Sequence, residues 1–416
     1  MNTRKKKKIL MLSDHALSTS GVGCQSRFLI QGLLKKGCWT IRQFGAAMKH
    51  DSYEPVVVNP DFVIKPIDGF GNREMLLQTL ATEKPDVLFL FTDPRFFIYI
   101  WEMHDEINKI CPIAYWHVWD NRPTPEYNRV LYEATDLINC HSHLTYQMVN
   151  EIVPGKANFV PHALPDEIFF PMAPNDTRNS KIQILGPERK DHFIVFWVNR
   201  NARRKRPADL LESWAIFMKK LEAEGKSDAT LLMHTDPLDA EGPNLLACVE
   251  HLGIINSVVF SNQRVEFEQM NVLHNISDCC INIAYAEGFG LATLEAMKCG
   301  KPVIALKTGG LTRQVVDHRD GSENGIALDV EMKSLVGSQM VPYIYEDYCS
   351  TESVASALHQ MYVCGPERRN ELGTKAKNYV ASEFNLDTTV NLWHESLLNL
   401  CENWTHDGKF VIEEIE

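Results

Sequence analysis

Glu287 and Glu295 stand in the stretch Glu287-Gly288-Phe289-Gly290-Leu291-Ala292-Thr293-Leu294-Glu295-Ala296-Met297-Lys298-Cys299-Gly300-Lys301-Pro302. An apolar run ends near Ala284, a glycine loop follows, and the spacing predicts a helix over 291–299 that Gly300 and Pro302 stop. Gly288 and Gly290 let backbone amides approach a ligand closely. The helix N-terminus adds unpaired N–H groups and the positive end of its dipole, which together suit a diphosphate. Glu287 on the loop and Glu295 in the second helical turn can both accept hydrogen bonds from sugar or ribose hydroxyls held above that helix end. By spacing alone the same residues also describe a loop and an ordinary exposed helix.

A second group is Val198-Asn199-Arg200-Asn201-Ala202-Arg203-Arg204-Lys205-Arg206-Pro207, directly after an apolar run. Arg200 and Lys205 on such a loop can stabilise the charge that develops on a departing diphosphate. A solvated basic face is the competing reading. Ser18-Thr19-Ser20-Gly21-Val22-Gly23-Cys24 joins the first apolar run to the first helix, where Gly21 and Gly23 suit either a phosphate contact or a tight turn. The third glycine and the later carboxylate of a dinucleotide site are missing, which argues against a dehydrogenase. His117 follows another apolar run and is read as pointing toward a cleft, with a structural histidine as the alternative. Asp120 and Arg122 are close enough in sequence to share an acceptor pocket. Cys140-His141-Ser142-His143 has no second ligand pair at zinc-site spacing, and no Asp-x-Asp triplet occurs to bridge a divalent ion and a diphosphate, so no metal and no cofactor is expected.

These residues need a scaffold, and the chain supplies two runs of alternating strands and helices. Strands are predicted over 9–12, 87–91, 113–116, 137–140 and 158–160, then over 193–198, 229–233, 258–260, 280–284 and 302–306. Helical spacing begins near Ser26 and again over 207–221, where Pro207 opens the element. Between the runs, residues 166–190 lose periodicity and read as a linker. The fold class is therefore α/β with two Rossmann-like domains facing across a cleft, 1–165 and 191–385, with 386–416 as helices crossing back to the first domain. A chain of 416 residues, 44% hydrophobic and 23% charged, has the make-up of a globular enzyme of more than one domain.

Its net charge of −12 argues against a protein that coats nucleic acid through its overall field. The basic run Arg4, Lys5, Lys6, Lys7 and Lys8 reads either as a solvated tail or as a peripheral contact to a polyanion or an anionic membrane. No apolar stretch reaches the length of a transmembrane span, and no signal-peptide core follows the basic start. The eleven cysteines include no CxxC pair. A cytoplasmic protein with reduced thiols is expected.

The text around Glu287 and Glu295 resembles the retaining GT-B glycosyltransferases usually called family 4, or glycosyl transferases group 1, whose hallmark is a Glu, seven residues, Glu element in EGFGL-like text. Gly288, Phe289, Gly290, Leu291, Glu295, Ala296, Gly300 and Pro302 fit that pattern. The resemblance implies that Glu287 approaches the donor sugar, that Glu295 holds the nucleotide ribose and that the loop amides hold the diphosphate. It also implies that Arg200 and Lys205 clamp the diphosphate, that Gly21 and Gly23 face it from the first domain, that His117 lies near the donor sugar, and that Gly309 and Gly310 lie beside the donor. The departures are Asn199 for a usual Gly, Arg206 with Pro207 where Gly commonly follows the Lys, Arg313 and Gln314 for Pro and Glu, and His162 for Asn.

The function so implied is transfer of a sugar from a nucleotide-diphosphate sugar to an acceptor hydroxyl with retention of configuration, without a metal. The acceptor classes are, in order, a glycan or lipid-linked glycan, a small molecule, and a modified nucleic-acid base. A phosphorylase-like or epimerase-like enzyme on the same fold, or a non-catalytic nucleotide-sugar-binding protein, are the alternatives.

Overall fold

The computed structural model describes residues 6–405. The chain forms two compact units: one gathers the residues up to Trp119, Thr124–His162 and the chain from Leu386 on, the other Asp120–Pro123 and Ala163–Asn385.

In the first unit, eight strands form one sheet: β1 (Lys7–Asp14), β2 (Trp39–Ala46), β3 (Val56–Asn59), β4 (Phe62–Pro66), β5 (Val87–Thr92), β6 (Ile113–His117), β7 (Leu137–Cys140) and β8 (Ala157–Phe159), in the order β3-β4-β2-β1-β5-β6-β7-β8. All neighbours are parallel except β3 with β4. β1 and β5 are apolar runs because both sheet faces are covered. Ile9 and Met11 face Trp393 and Leu397 of the helix Leu386–Asn403, while Leu10 and Leu12 face Leu76, Leu80 and Phe97 on the other side. Trp393 lies 4.6 Å from Phe89, and a Cβ on Gly32 would stand 2.4 Å from Val390, so the last helix sits close against the first. Residues 386–405 thus complete the core of this unit.

The buried histidines of this unit include His117, His141 and His162. Burial, with His141 beside them, holds the imidazoles of His117 and His162 well below the ordinary histidine range. Both are neutral when folded and titrate normally when unfolded, so the unfolded chain binds more protons below pH ~6.5 and stability is lost as pH falls through that value. Each contributes up to about 1.4 kcal/mol per pH unit in that window. Calorimetry should show the unfolding midpoint falling from pH ~7.5 to ~5.5, with a shallower fall for His162→Asn; a midpoint that stays constant in the parent chain would contradict this.

The second unit contains β9 (Phe193–Val198), β10 (Ala229–His234), β11 (Val258–Ser261), β12 (Cys279–Asn282), β13 (Val303–Leu306) and β14 (Gly325–Leu328), all parallel in the order β11-β10-β9-β12-β13-β14. That is the order of a Rossmann sheet, whose direction of winding reverses between β9 and β12. Trp197, Trp214, Phe217, Leu231 and Ile281 fill its main core. A two-stranded antiparallel hairpin, β15 (Met332–Val336) with β16 (Ile344–Tyr348), follows.

Two sequence readings need correction. Residues 166–190, read as a linker, belong to the second unit and contain the helix Pro174–Leu185, whose mostly polar residues lack a strong apolar stripe. Strands β2, β3, β4, β14, β15 and β16 have no counterpart among the predicted strands; β2 carries Arg42 and Gln43 mid-strand, β15 is largely exposed, and β16 buries the charged residues Glu346 and Asp347.

Candidate functional site

Sheet order explains why the basic loop and the Glu287 loop meet. β9 and β12 are hydrogen-bonded neighbours, so the loops leaving their carboxyl ends share the place where winding reverses. The backbone N–H of Tyr285 donates to the carbonyl of Arg204 at 2.9 Å, joining the two loops. Lys205 then forms an ion pair with Glu287, the two side chains only 10% and 13% exposed. Burial by itself would raise the Glu287 carboxyl, but Lys205 and then Arg204 outweigh it and hold the carboxyl below its ordinary range. Burial also lowers the Lys205 ammonium, opposed by Glu287. We read the pair as ionised, because each charge compensates the other in a site that water barely reaches.

The glycines are required by close backbone approach. Gly290 has φ +93° and begins the helix Leu291–Lys298 with no side-chain cap and no acidic residue in the first turn, leaving the positive helix end open to an anion. Gly309 has φ +49°, and a Cβ there would stand 2.1 Å from the Glu287 carbonyl and 2.5 Å from that of Asp120. The Gly310 N–H donates to the Glu287 carbonyl at 2.9 Å, and a Cβ on Gly310 would press on Gly288. Gln314 donates to the Phe289 carbonyl at 2.6 Å. Phe289 is itself buried edge-on to Phe384, 5.4 Å away, and anchors the loop instead of facing a ligand.

The other expected residues are placed as follows. Glu295 accepts a hydrogen bond from His274 at 2.9 Å. Arg200 lies away from the Lys205 pair: it is 63% exposed and holds Asp239 with two bonds of 2.7 and 3.1 Å. Asp120 and Arg122 belong to the second unit and not the first. Asp120 lies 3.9 Å from Arg204, and the Arg122 carbonyl accepts from the Tyr345 N–H at 2.6 Å.

In the first unit His117 is fully buried and bonded to the Tyr132 hydroxyl at 2.8 Å, so it has no exposed face for a donor sugar. The two-residue period of β6 that turns Tyr115 inward turns His117 inward as well. Gly21 opens the helix Gly21–Lys35, and a Cβ on Gly23 would meet Ser18 and His15 at 2.1 and 2.6 Å, so Gly23 serves the tight turn. Arg4 and Lys5 lie outside the described residues; Lys6 pairs with Asp61 and Lys8 with Glu83.

Several residues were not anticipated. Arg206 has φ +55°, the left-handed region that favours glycine, which accounts for the Gly common after the Lys in the resembling family. Its guanidinium is fixed by Asp209 at 2.6 Å and the Cys349 carbonyl at 3.0 Å, over the rings of Tyr285 and Tyr348. Asn121 and Thr308 both donate to the buried Asp347 at 2.7 Å, tying the Gly309 loop to β16. Nothing in their spacing signals these contacts, which depend on the hairpin folding back. An open groove of about 760 Å³ along Asp317, Arg319, Glu371 and Lys375 lies elsewhere and does not include the Lys205–Glu287 pair. Among the described residues no group of three or more His, Cys, Asp and Glu is arranged to hold a metal, and no helix is long and apolar enough to cross a membrane.

Residues 179–336 match the family described as Glycosyl transferases group 1. The chain is 25% identical over 246 residues to N-acetyl-alpha-D-glucosaminyl L-malate synthase of Bacillus anthracis, covering 55% of this chain and 60% of that protein. It is 31% identical over 204 residues to D-inositol 3-phosphate glycosyltransferase of Corynebacterium diphtheriae, covering 47% and 42%. The matches thus span less than two thirds of these relatives. Among solved structures, sucrose-phosphate synthase from Thermosynechococcus elongatus superposes with a TM-score of 0.70 at 19% identity, over 95% of this chain and 99% of that one. The Anabaena protein HepE, solved in complex with UDP-glucose, superposes with a TM-score of 0.67 at 16% identity, over 94% and 100%. The chain has the GT-B fold of two Rossmann-like units, and its residues 179–336 match the glycosyl transferases group 1 family.

Proposed function

We propose that the protein is a glycosyltransferase that moves a sugar from a nucleoside diphosphate sugar to an acceptor hydroxyl and keeps the anomeric configuration. The observation that carries this reading is the buried Lys205–Glu287 pair beside the uncapped N-terminus of Leu291–Lys298, a place that suits a diphosphate with a sugar attached. Open helix N–H groups and the Lys205 ammonium would stabilise the diphosphate as the anomeric C–O bond breaks and its electron pair passes to the leaving oxygen. The acceptor oxygen bonds to the anomeric carbon on the same face, and its proton goes to the departing phosphate oxygen. Glu287 accepts hydrogen bonds from the sugar's hydroxyls while balancing Lys205. The group 1 match and the UDP-glucose complex of HepE support a nucleotide-sugar donor.

Arg200 joins the clamp only by leaving Asp239. Arg200→Ala is therefore expected to raise the donor KM about tenfold with a smaller change in kcat; unchanged kinetics would confine Arg200 to its pair with Asp239. Relatives named for malate and inositol 3-phosphate put small hydroxylated acids among the acceptors to test, beside glycans, lipid-linked glycans and modified nucleic acid. Eleven free thiols suit a reducing compartment, and we place the protein in the cytoplasm. Proton NMR of the product formed in EDTA should show the donor's anomeric configuration preserved. An inverted product would contradict retention, and activity lost to EDTA and restored by Mg or Mn would contradict metal independence.

A further inference from the structure

His274 is a fully enclosed polar side chain beside the proposed donor site. It lies on the helix Phe267–Ile276, has no exposed surface, and is boxed edge-on by Phe196 at 5.0 Å and Phe169 at 6.1 Å. Nε2 lies 2.9 Å from Oε2 of Glu295, while Nδ1 is buried and has no hydrogen-bond partner among the described residues. These two facts fix the tautomer. A carboxylate only accepts, so the hydrogen belongs on Nε2; a hydrogen on Nδ1 would be a buried donor with nothing to receive it, which is costlier than an idle lone pair.

Glu295 is thereby held in one orientation. Its Oε2 is occupied by a rigid, aromatic-walled donor on a neighbouring helix, and its side chain keeps 16% of its surface exposed. No hydrogen bond to Oε1 occurs among the described residues, so Oε1 is the atom left to receive a ligand hydroxyl. A free glutamate on an exposed helix would have to order its rotatable bonds on binding, and a fixed one does not. We propose that His274 is a positioning residue that locks Glu295 to read the ribose hydroxyls of the donor nucleotide, so that discrimination against deoxyribose depends on a side chain that never touches the ligand. The proposal rests on the donor-site reading above.

The test is a cycle of binding measurements by calorimetry on the full chain, with whichever of UDP, GDP and ADP binds best and with its 2′-deoxy and 3′-deoxy forms. The parent protein should bind at least one deoxy form about tenfold more weakly, the worth of a charged hydrogen bond. In His274→Phe that penalty should shrink to about threefold or less, whereas His274→Gln, which keeps an N–H near the place of Nε2, should restore most of it. A loss of packing alone would weaken normal and deoxy nucleotides equally and leave the ratio unchanged. The tautomer is read independently in the parent protein by nitrogen-15 NMR, where His274 should carry its hydrogen on Nε2. An unchanged deoxy ratio in a folded His274→Phe, or a hydrogen on Nδ1, would overturn the positioning role. Failure of the parent protein to bind any of the three nucleotides would instead overturn the donor site, and the proposal with it.

Discussion

Lys205→Met is expected to lower turnover about a hundredfold, because removing one donor to a developing anion costs roughly 3 kcal/mol. The same change leaves Glu287 buried without its partner, and breaking one side of a buried pair costs about 3–5 kcal/mol of stability unless the carboxyl takes up a proton. The two effects separate in the double variant. Lys205→Met with Glu287→Gln removes both charges from similar volumes, so calorimetry should return the unfolding midpoint close to that of the parent, while turnover stays low. Turnover within about threefold of the parent in a folded Lys205→Met would contradict a role at the leaving group.

Gly309→Ala should be nearly as damaging by a different route. The left-handed φ of +49° costs about 1 kcal/mol for a residue with a Cβ. The larger penalty is that this atom would fall 2.1 Å from the Glu287 carbonyl and 2.5 Å from that of Asp120, both main-chain atoms that cannot turn aside. The Glu287 loop must shift, and the total loss should be about 3 kcal/mol. Gly253 is the control: its φ of +69° is similarly left-handed, but a Cβ there meets nothing within 4 Å. Gly253→Ala should lower the midpoint slightly and leave nucleotide binding intact, whereas Gly309→Ala should lower the midpoint clearly and weaken binding about tenfold or more. Equal effects of the two would mean that contact with the Glu287 loop carries no weight.

The parts of this arrangement readable in sequence were those encoded locally. The run from Glu287 to Pro302 carries its own loop, helix start and helix stop, and the structure places the helix at Leu291–Lys298. Apolar runs such as 87–91 and 193–198 announced buried parallel strands because both faces are covered. Contacts made by folding distant segments together were not legible. Spacing alone cannot tell that Lys205 turns in to Glu287 while Arg200 turns out to Asp239, since the difference lies in the short helical turn Arg203–Lys205 and in the loop after β10. His117 misled because strand alternation fixes which face a residue takes but not what covers that face; here Tyr132 does. His274 gave no signal, its partner Glu295 lying on a separate helix.

Release of nucleoside diphosphate from a panel of UDP-, GDP- and ADP-sugars, with and without the acceptor classes named above, tests the donor site most directly. The parent chain should release diphosphate from at least one donor, faster when the right acceptor is present, and Lys205→Met with Glu287→Gln should lose that release while remaining folded and unchanged in unfolding midpoint. Release at the parent rate by this double variant, or none from any donor by the folded parent, would contradict sugar transfer at the Lys205–Glu287 site.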